Sequence, residues 1–182
     1  LINNAGIGSQ GSFELSSPGE FRPMIKLNTE SLVTMCWNAI PFLKEHQQSY
    51  ILNVGSVSSF MAVPYKAVYA ATKNFVLSFS NSLYYELADS GISVSCLCPG
   101  PTLTSGEQIG KIREQGLKAK IMISQTQHVA RRAIDGLLDQ KRIITPGWGN
   151  KLFTYLARIL PVRLKLALAG LTFSDSAFNH QQ

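Results

Sequence analysis

The fold is decided by three linked segments. Tyr50-Ile51-Leu52-Asn53-Val54-Gly55-Ser56 leads to Tyr69-Ala70-Ala71-Thr72-Lys73, then to Ile92-Ser93-Val94-Ser95-Cys96-Leu97-Cys98-Pro99-Gly100. The outer two are short, mostly apolar runs that close on Gly or Pro-Gly, as strands covered on both faces do. Between them, Thr72, Val76, Phe79, Leu83 and Leu87 recur at helical spacing and predict a core-facing stripe on a helix over 65–89. Working outward, the pattern predicts strands at 1–3, 50–54, 92–98 and 142–146, and further helices at 18–46 and 127–141. Strand–helix–strand alternation of this kind implies an α/β fold with a parallel sheet. No internal repeat, low-complexity stretch or dividing linker is present, so 1–182 reads as a single domain.

The same stretch carries chemistry. Tyr69 and Lys73 are four residues apart and share one helix face. A free tyrosine holds its proton until about pH 10. A neighbouring cation favours the phenolate and moves that value toward the range of a general acid/base. Ser56, thirteen residues before Tyr69, could hydrogen-bond the oxygen that gains or loses the proton. These groups suit carbonyl–alcohol interconversion. With six Tyr in the chain, a lone Tyr-xxx-Lys pair is a weak signal, and Ser58 and Ser59 are rival hydroxyls.

Four further features strengthen it. The chain opens Leu1-Ile2-Asn3-Asn4-Ala5-Gly6; Asn28 lies in the amphipathic stretch 21–43; strand 50–54 runs into Gly55-Ser56; and strand 92–98 runs into Pro99-Gly100-Pro101-Thr102-Leu103-Thr104. Taken together, these residues resemble the short-chain dehydrogenase/reductase (SDR) family, in its order and near its usual spacing, from residue 1 to about 146. The resemblance implies a Rossmann-type doubly wound parallel sheet. It also implies an NAD(P)-dependent oxidoreductase acting on a secondary or primary alcohol or its carbonyl, with NADP (or NAD) as cofactor.

By that resemblance, Tyr69 would exchange the proton with the substrate oxygen, and Ser56 would hold that oxygen. Lys73 would lower the Tyr69 pKa and bond the nicotinamide ribose. Asn28 would organise a water linking Lys73 to solvent, the alternative being a buried helix Asn bonded to backbone. Asn3, Ala5 and Gly6 would line the adenosine side of the cofactor. Pro99 and Gly100 form the family's Pro-Gly turn, and Thr102 and Thr104 would sit near the nicotinamide and pyrophosphate. Ser58 and Ser59 fit the family spacing less well than Ser56.

Gly6-Ile7-Gly8-Ser9-Gln10-Gly11 matches G-x-G-x-x-G but reads as a decoy. A phosphate-binding fingerprint follows a full strand and opens a helix at once, whereas Ser-Ser-Pro-Gly at 16–19 delays any helix. The family's phosphate-binding turn precedes the Asn-Asn-Ala-Gly segment. The expectation is therefore the C-terminal part of a Rossmann-type sheet, with the first βαβ portion missing. Two function classes follow: the oxidoreductase, and a non-catalytic truncated binding or interaction module. Nucleotide-sugar epimerases share Tyr-xxx-Lys, but the short tail after residue 146 argues against them.

Composition narrows the partners. The net charge is +6, with basic residues grouped at 111–120 and 151–165, yet no nucleic-acid-binding motif accompanies them. No run of about 20 apolar residues predicts a spanning helix. The three Cys (Cys36, Cys96, Cys98) read as buried thiols in a reducing, cytoplasmic setting, and no His or Cys grouping suggests a metal. Residues 103–125 follow the Pro-Gly turn at a strand's carboxyl end and are expected to form a substrate lid. Within 148–171, Leu152, Phe153, Leu156, Ile159 and Leu160 form an apolar stripe that stops at Pro161; Leu164, Ala167, Leu168 and Leu171 resume it. Basic residues flank the stripe, which leaves pocket or subunit packing and peripheral membrane contact both open. The expected partner is a small apolar carbonyl or alcohol (lipid-, steroid- or acyl-like), with a homo-oligomer at full length.

Overall fold

Alternation along Ser49–Val54 and Ile92–Leu97 sends successive side chains to opposite faces of the sheet, and both faces find apolar cover. The computed structural model describes residues 1–103 and 124–167. In chain order the elements are β1 (Ile2–Asn3), α1 (Pro18–Ile25), a π-helical segment (Lys26–Ser31), α2 (Leu32–Leu43), β2 (Ser49–Val54) and a 3-10 turn (Val57–Phe60). They continue with α3 (Ala67–Glu86), β3 (Ile92–Leu97), β4 (Thr102–Leu103), β5 (Ser124–Gln125), α4 (Thr126–Leu138), β6 (Ile143–Ile144) and α5 (Trp148–Ile159).

Strands β1, β2, β3 and β6 form one sheet in that order, every pairing parallel. On one face, Ile51, Val94 and Cys96 pack against Leu32 and Cys36 of α2 and Val76, Leu77 and Leu83 of α3. On the other, Leu52, Leu97 and Ile144 meet Val129, Ala133 and Leu137 of α4. The sheet is thus wound on both sides, as the strand and helix pattern implied. The α3 stripe holds: Thr72, Val76, Leu83 and Leu87 are buried, and Phe79 packs at the margin of the core. Cys36, Cys96 and Cys98 are all buried free thiols.

A polar line crosses this core. Asn53, fully buried on β2, accepts from Asn3 Nδ2 at 2.8 Å and donates through Nδ2 to Ser80 Oγ at 3.0 Å. Asn3 Nδ2 also reaches Cys36 Sγ at 3.2 Å. These bonds fasten the two-residue β1 to the sheet and to both helices on that face.

The stretch predicted as one helix over 18–46 is helical from 18 to 43 but widens into the π segment at Lys26–Ser31. Thr29 and Ser31 bond back to the carbonyls of Ile25 and Lys26, and such hydroxyl competition loosens the regular ladder. The sequence also gave no sign of β4 and β5, which pair in parallel as Thr102↔Ser124 and Leu103↔Gln125. They join the two ends of the 103–125 excursion, whose remainder lies outside the described residues.

Candidate active site

Open parallel sheets bind ligands beyond the carboxyl ends of their strands. Here β1 runs into Asn4-Ala5-Gly6, β2 into Gly55-Ser56, and β3 into Cys98-Pro99-Gly100. Backbone bonds lace the turns together: Gly55 N donates to Leu97 O at 2.8 Å, and Val57 N to Pro99 O at 3.0 Å. Helix α3 lies alongside and carries Tyr69 and Lys73 one turn apart.

Lys73 is buried, and its Nζ donates to Val54 O at 2.8 Å. It lies 5.9 Å from the centre of the Tyr69 ring. Desolvation pushes its ammonium pKa down from the usual lysine value, opposed in part by the fields of Cys96 and Cys98. Val54 O is the acceptor it reaches among the described residues, which leaves two N–H donors of a buried cation for a polar ligand.

The three rival serines separate by their bonds. Ser56 caps the 3-10 turn: its Oγ accepts from Ser58 N at 3.2 Å, which fixes the oxygen and leaves its own hydrogen to donate. Ser59 is fully buried and occupied, accepting from Ser56 N at 3.1 Å and donating to Lys73 O at 2.7 Å. Ser58 Oγ is buried with no hydrogen-bond partner in the described structure. Asn74 Nδ2 donates to Ser59 O at 2.8 Å, so the Ser56 turn is clamped to α3 at Lys73–Asn74.

Asn28 sits in the π segment, buried, with its carboxamide fully engaged. Oδ1 accepts from Ile7 N at 3.0 Å, and Nδ2 donates to Ile7 O at 2.9 Å and to Thr72 Oγ1 at 3.0 Å. The side chain therefore holds the 4–8 loop onto α3. Asn3 likewise turns its side chain into the core and leaves only backbone on the site side, whereas Ala5 and Gly6 are exposed. Thr102 Oγ1 donates to Gly100 O at 3.1 Å, and Gly100 packs against the Asn150 carboxamide of α5. Thr104 lies outside the described residues.

Gly8 and the clamping role of Ser59 were not anticipated from the sequence, whereas Gly6 was. A Cβ on Gly8 would stand 3.1 Å from the Tyr69 ring, and one on Gly6 would stand 3.2 Å from Lys73 Nζ. The glycine pattern read as a decoy thus lets the loop close directly over the Tyr–Lys pair; a loop Gly spacing gives no hint of what it will touch. Ser59, ranked behind Ser56, is the clamp between the cap and α3.

A doubly wound parallel sheet with Ser, Tyr and Lys gathered at its carboxyl edge defines a Rossmann-type fold with a candidate proton-transfer site. Residues 1–114 match the family described as short chain dehydrogenase, and the chain belongs to that family. It is 33% identical over 100 residues to 3-ketodihydrosphingosine reductase of Bacteroides thetaiotaomicron, covering 55% of this chain and 37% of that protein. It is 34% identical over 115 residues to retinol dehydrogenase 8 of Bos taurus, covering 63% and 36%. A short-chain dehydrogenase from Sphingobium yanoikuyae in complex with NADPH superposes with a TM-score of 0.68 at 26% identity, covering 96% of this chain and 63% of that one. The chain spans 36–53% of the length of four curated relatives.

Proposed function

We propose that this chain carries the proton-transfer half of an NAD(P)-dependent oxidoreductase that interconverts an apolar carbonyl compound and its alcohol. The observation that carries the reading is the placement of Tyr69 and Lys73 on one face of α3, clamped to the Ser56 turn at the carboxyl edge of the sheet. In the reducing direction the Tyr69 phenol gives its proton to the substrate oxygen as the C=O bond becomes an alcohol. Ser56, its lone pair taken by Ser58 N–H, donates its hydroxyl hydrogen to the same oxygen and aligns it. The buried Lys73 ammonium supplies the positive field that faces the phenolate left on Tyr69. Oxidation runs the same transfers backward.

The residues fit a nicotinamide nucleotide. Lys73 keeps two donors for ribose hydroxyls, the exposed Ala5-Gly6 turn offers backbone beside it, and the Pro99-Gly100-Pro101-Thr102 turn follows β3 at the same carboxyl edge of the sheet. When bound, the nicotinamide supplies or accepts the hydride. Asn28 acts by holding the loop over the Tyr–Lys pair. NADP or NAD, an apolar substrate, homo-oligomerisation at full length and a cytoplasmic site with peripheral membrane contact through 148–171 complete the reading. It is supported by the retinol and ketodihydrosphingosine named in two relatives and the NADPH in a structural neighbour.

NADPH and NADH titrated into the protein, followed by ketone-dependent NADPH oxidation, test it. Tyr69→Phe is expected to lower kcat by about 10²–10⁴, the usual worth of a general acid, with nucleotide affinity retained. Nucleotide binding with full activity in Tyr69→Phe would refute the assignment. Binding of neither nucleotide, at any chain length, would favour the non-catalytic module.

A further inference from the structure

Helix α5 is built inside out. Its buried face is made of Gly149, Asn150, Thr154 and Ala157, all small or polar. These seat the helix on the 3-10 turn that follows Ser56, with Asn150 set against Gly100. At 3.6 residues per turn, Trp148, Leu152, Tyr155, Leu156 and Ile159 fall in one stripe about 100° wide. A stripe of that kind ordinarily packs on the core. Here it faces outward, with Trp148 68%, Tyr155 62% and Ile159 61% exposed. The pattern continues past Pro161, where 162–167 is helical and Val162, Leu164 and Leu166 are exposed.

Charge identifies what the stripe faces. Lys151, Arg158, Arg163 and Lys165 lie between Gly147 and Ala167, with no acidic residue among them. Two are tied to the protein: the Arg158 guanidinium lies 4.8 Å from the centre of the Phe60 ring, and Lys165 Nζ donates to Ala157 O at 3.0 Å. Lys151 and Arg163 are exposed beside the apolar stripe. A second copy docking through this face by two-fold symmetry would bring the basic set against itself. Trp148 and Tyr155 are amphipathic rings of the type enriched where a bilayer meets water. Among the described residues no helix is long and apolar enough to cross a membrane, so contact would be flat.

We propose that α5 and the 162–167 turn form a peripheral docking surface for an anionic lipid bilayer. Trp148, Leu152, Tyr155 and Ile159 enter the boundary between headgroups and acyl chains, and Lys151 and Arg163 meet the acidic headgroups. This gives the membrane contact of the preceding reading a lipid charge and a set of residues; it does not depend on the oxidoreductase activity. Because α5 packs on the turn that holds Ser56, docking brings the carboxyl edge of the sheet near the bilayer.

The test is flotation of the chain with vesicles of phosphatidylcholine alone or mixed with phosphatidylserine. The sequence has two Trp, so a Trp37→Phe background makes Trp148 the only fluorescent indole. The expected result is co-flotation with the acidic vesicles and a blue shift of Trp148. Lys151→Gln with Arg163→Gln should weaken partitioning about twenty-five-fold, at about fivefold per residue. Leu152→Ser with Ile159→Ser should abolish the shift, while circular dichroism melts show that both pairs stay folded. Flotation with neither composition overturns the proposal, as does flotation that Lys151→Gln with Arg163→Gln leaves unchanged. A wild type that elutes as a dimer, and as a monomer once Leu152 and Ile159 are Ser, assigns the face to a second copy and equally overturns it.

Discussion

Ser56 and Ser59 stand three residues apart in one turn, yet their removal should do opposite things. Ser59→Ala deletes an oxygen that accepts from Ser56 N and donates to Lys73 O. The Ser56 N–H is then left without its partner in a half-buried site, at about 1–3 kcal/mol. The Lys73 carbonyl keeps its helical partner one turn on, so its loss is smaller, about 0.5–1.5 kcal/mol. The sum is about 1.5–4.5 kcal/mol, or a fall in Tm of roughly 3–18 °C for a domain of this size. Ser56→Ala removes an N-cap acceptor at a half-buried position, worth about 1 kcal/mol and roughly 2–4 °C. On the proposed function the order reverses in activity: Ser56→Ala should lose the proposed hydrogen bond to the reacting oxygen, whereas folded Ser59→Ala retains Ser56 and Tyr69. Thermal denaturation of both variants, with ketone reduction measured well below the lower Tm, separates the two roles. A Ser59→Ala protein that melts with the wild type, or a Ser56→Ala protein that reduces ketones as well as Ser59→Ala, would refute the division.

Three more outcomes follow from the same geometry. Asn53→Ala breaks the bonds to Asn3 and Ser80 inside the core and should cost about 2–4 kcal/mol, read as a shift in denaturant midpoint with little change in slope. Gly8→Val sets a branched side chain against the Tyr69 ring; ketone turnover should fall roughly tenfold or more, with Tm nearly unchanged because the loop is exposed. Lys73→Met should remove a pH dependence of stability. Burial holds the folded-state pKa below the ordinary 10.5, so the unfolded chain binds more protons in the window between the two values. Wild-type stability relative to Lys73→Met should therefore rise with pH through that window and level off above 10.5; denaturant midpoints from pH 7 to 11 give the sign.

How legible was the chain? The alternation of apolar runs with a 3.6-residue stripe is written in adjacent residues, and it located every strand of the main sheet to within two residues at either end. Tyr69 and Lys73 were legible for the same reason, since their spacing fixes their common face once a helix forms. The family resemblance placed Ser56, Asn28 and the Pro99-Gly100 turn in order. Bond partners 14 to 50 residues apart were not legible. No local pattern says that Asn3 turns into the core toward Asn53, that Asn28 grips both sides of Ile7, or that Ser59 belongs to Lys73 O.

The sequence by itself determined the α/β class, the parallel alternation and the Tyr–Lys pair, because short-range periodicity and excluded volume act along the chain. Tertiary structure decided which of Ser56 and Ser59 keeps a hydrogen to give, since Ser59 spends its own on the Lys73 carbonyl while Ser56 Oγ only accepts, from Ser58 N. It also decided which face of α5 is covered. Periodicity marked the apolar stripe, but close approach to the turn at Val57–Phe60 and to Gly100 accepts only small or compact groups. Gly149, Asn150, Thr154 and Ala157 therefore went inward, and the large side chains were left outside.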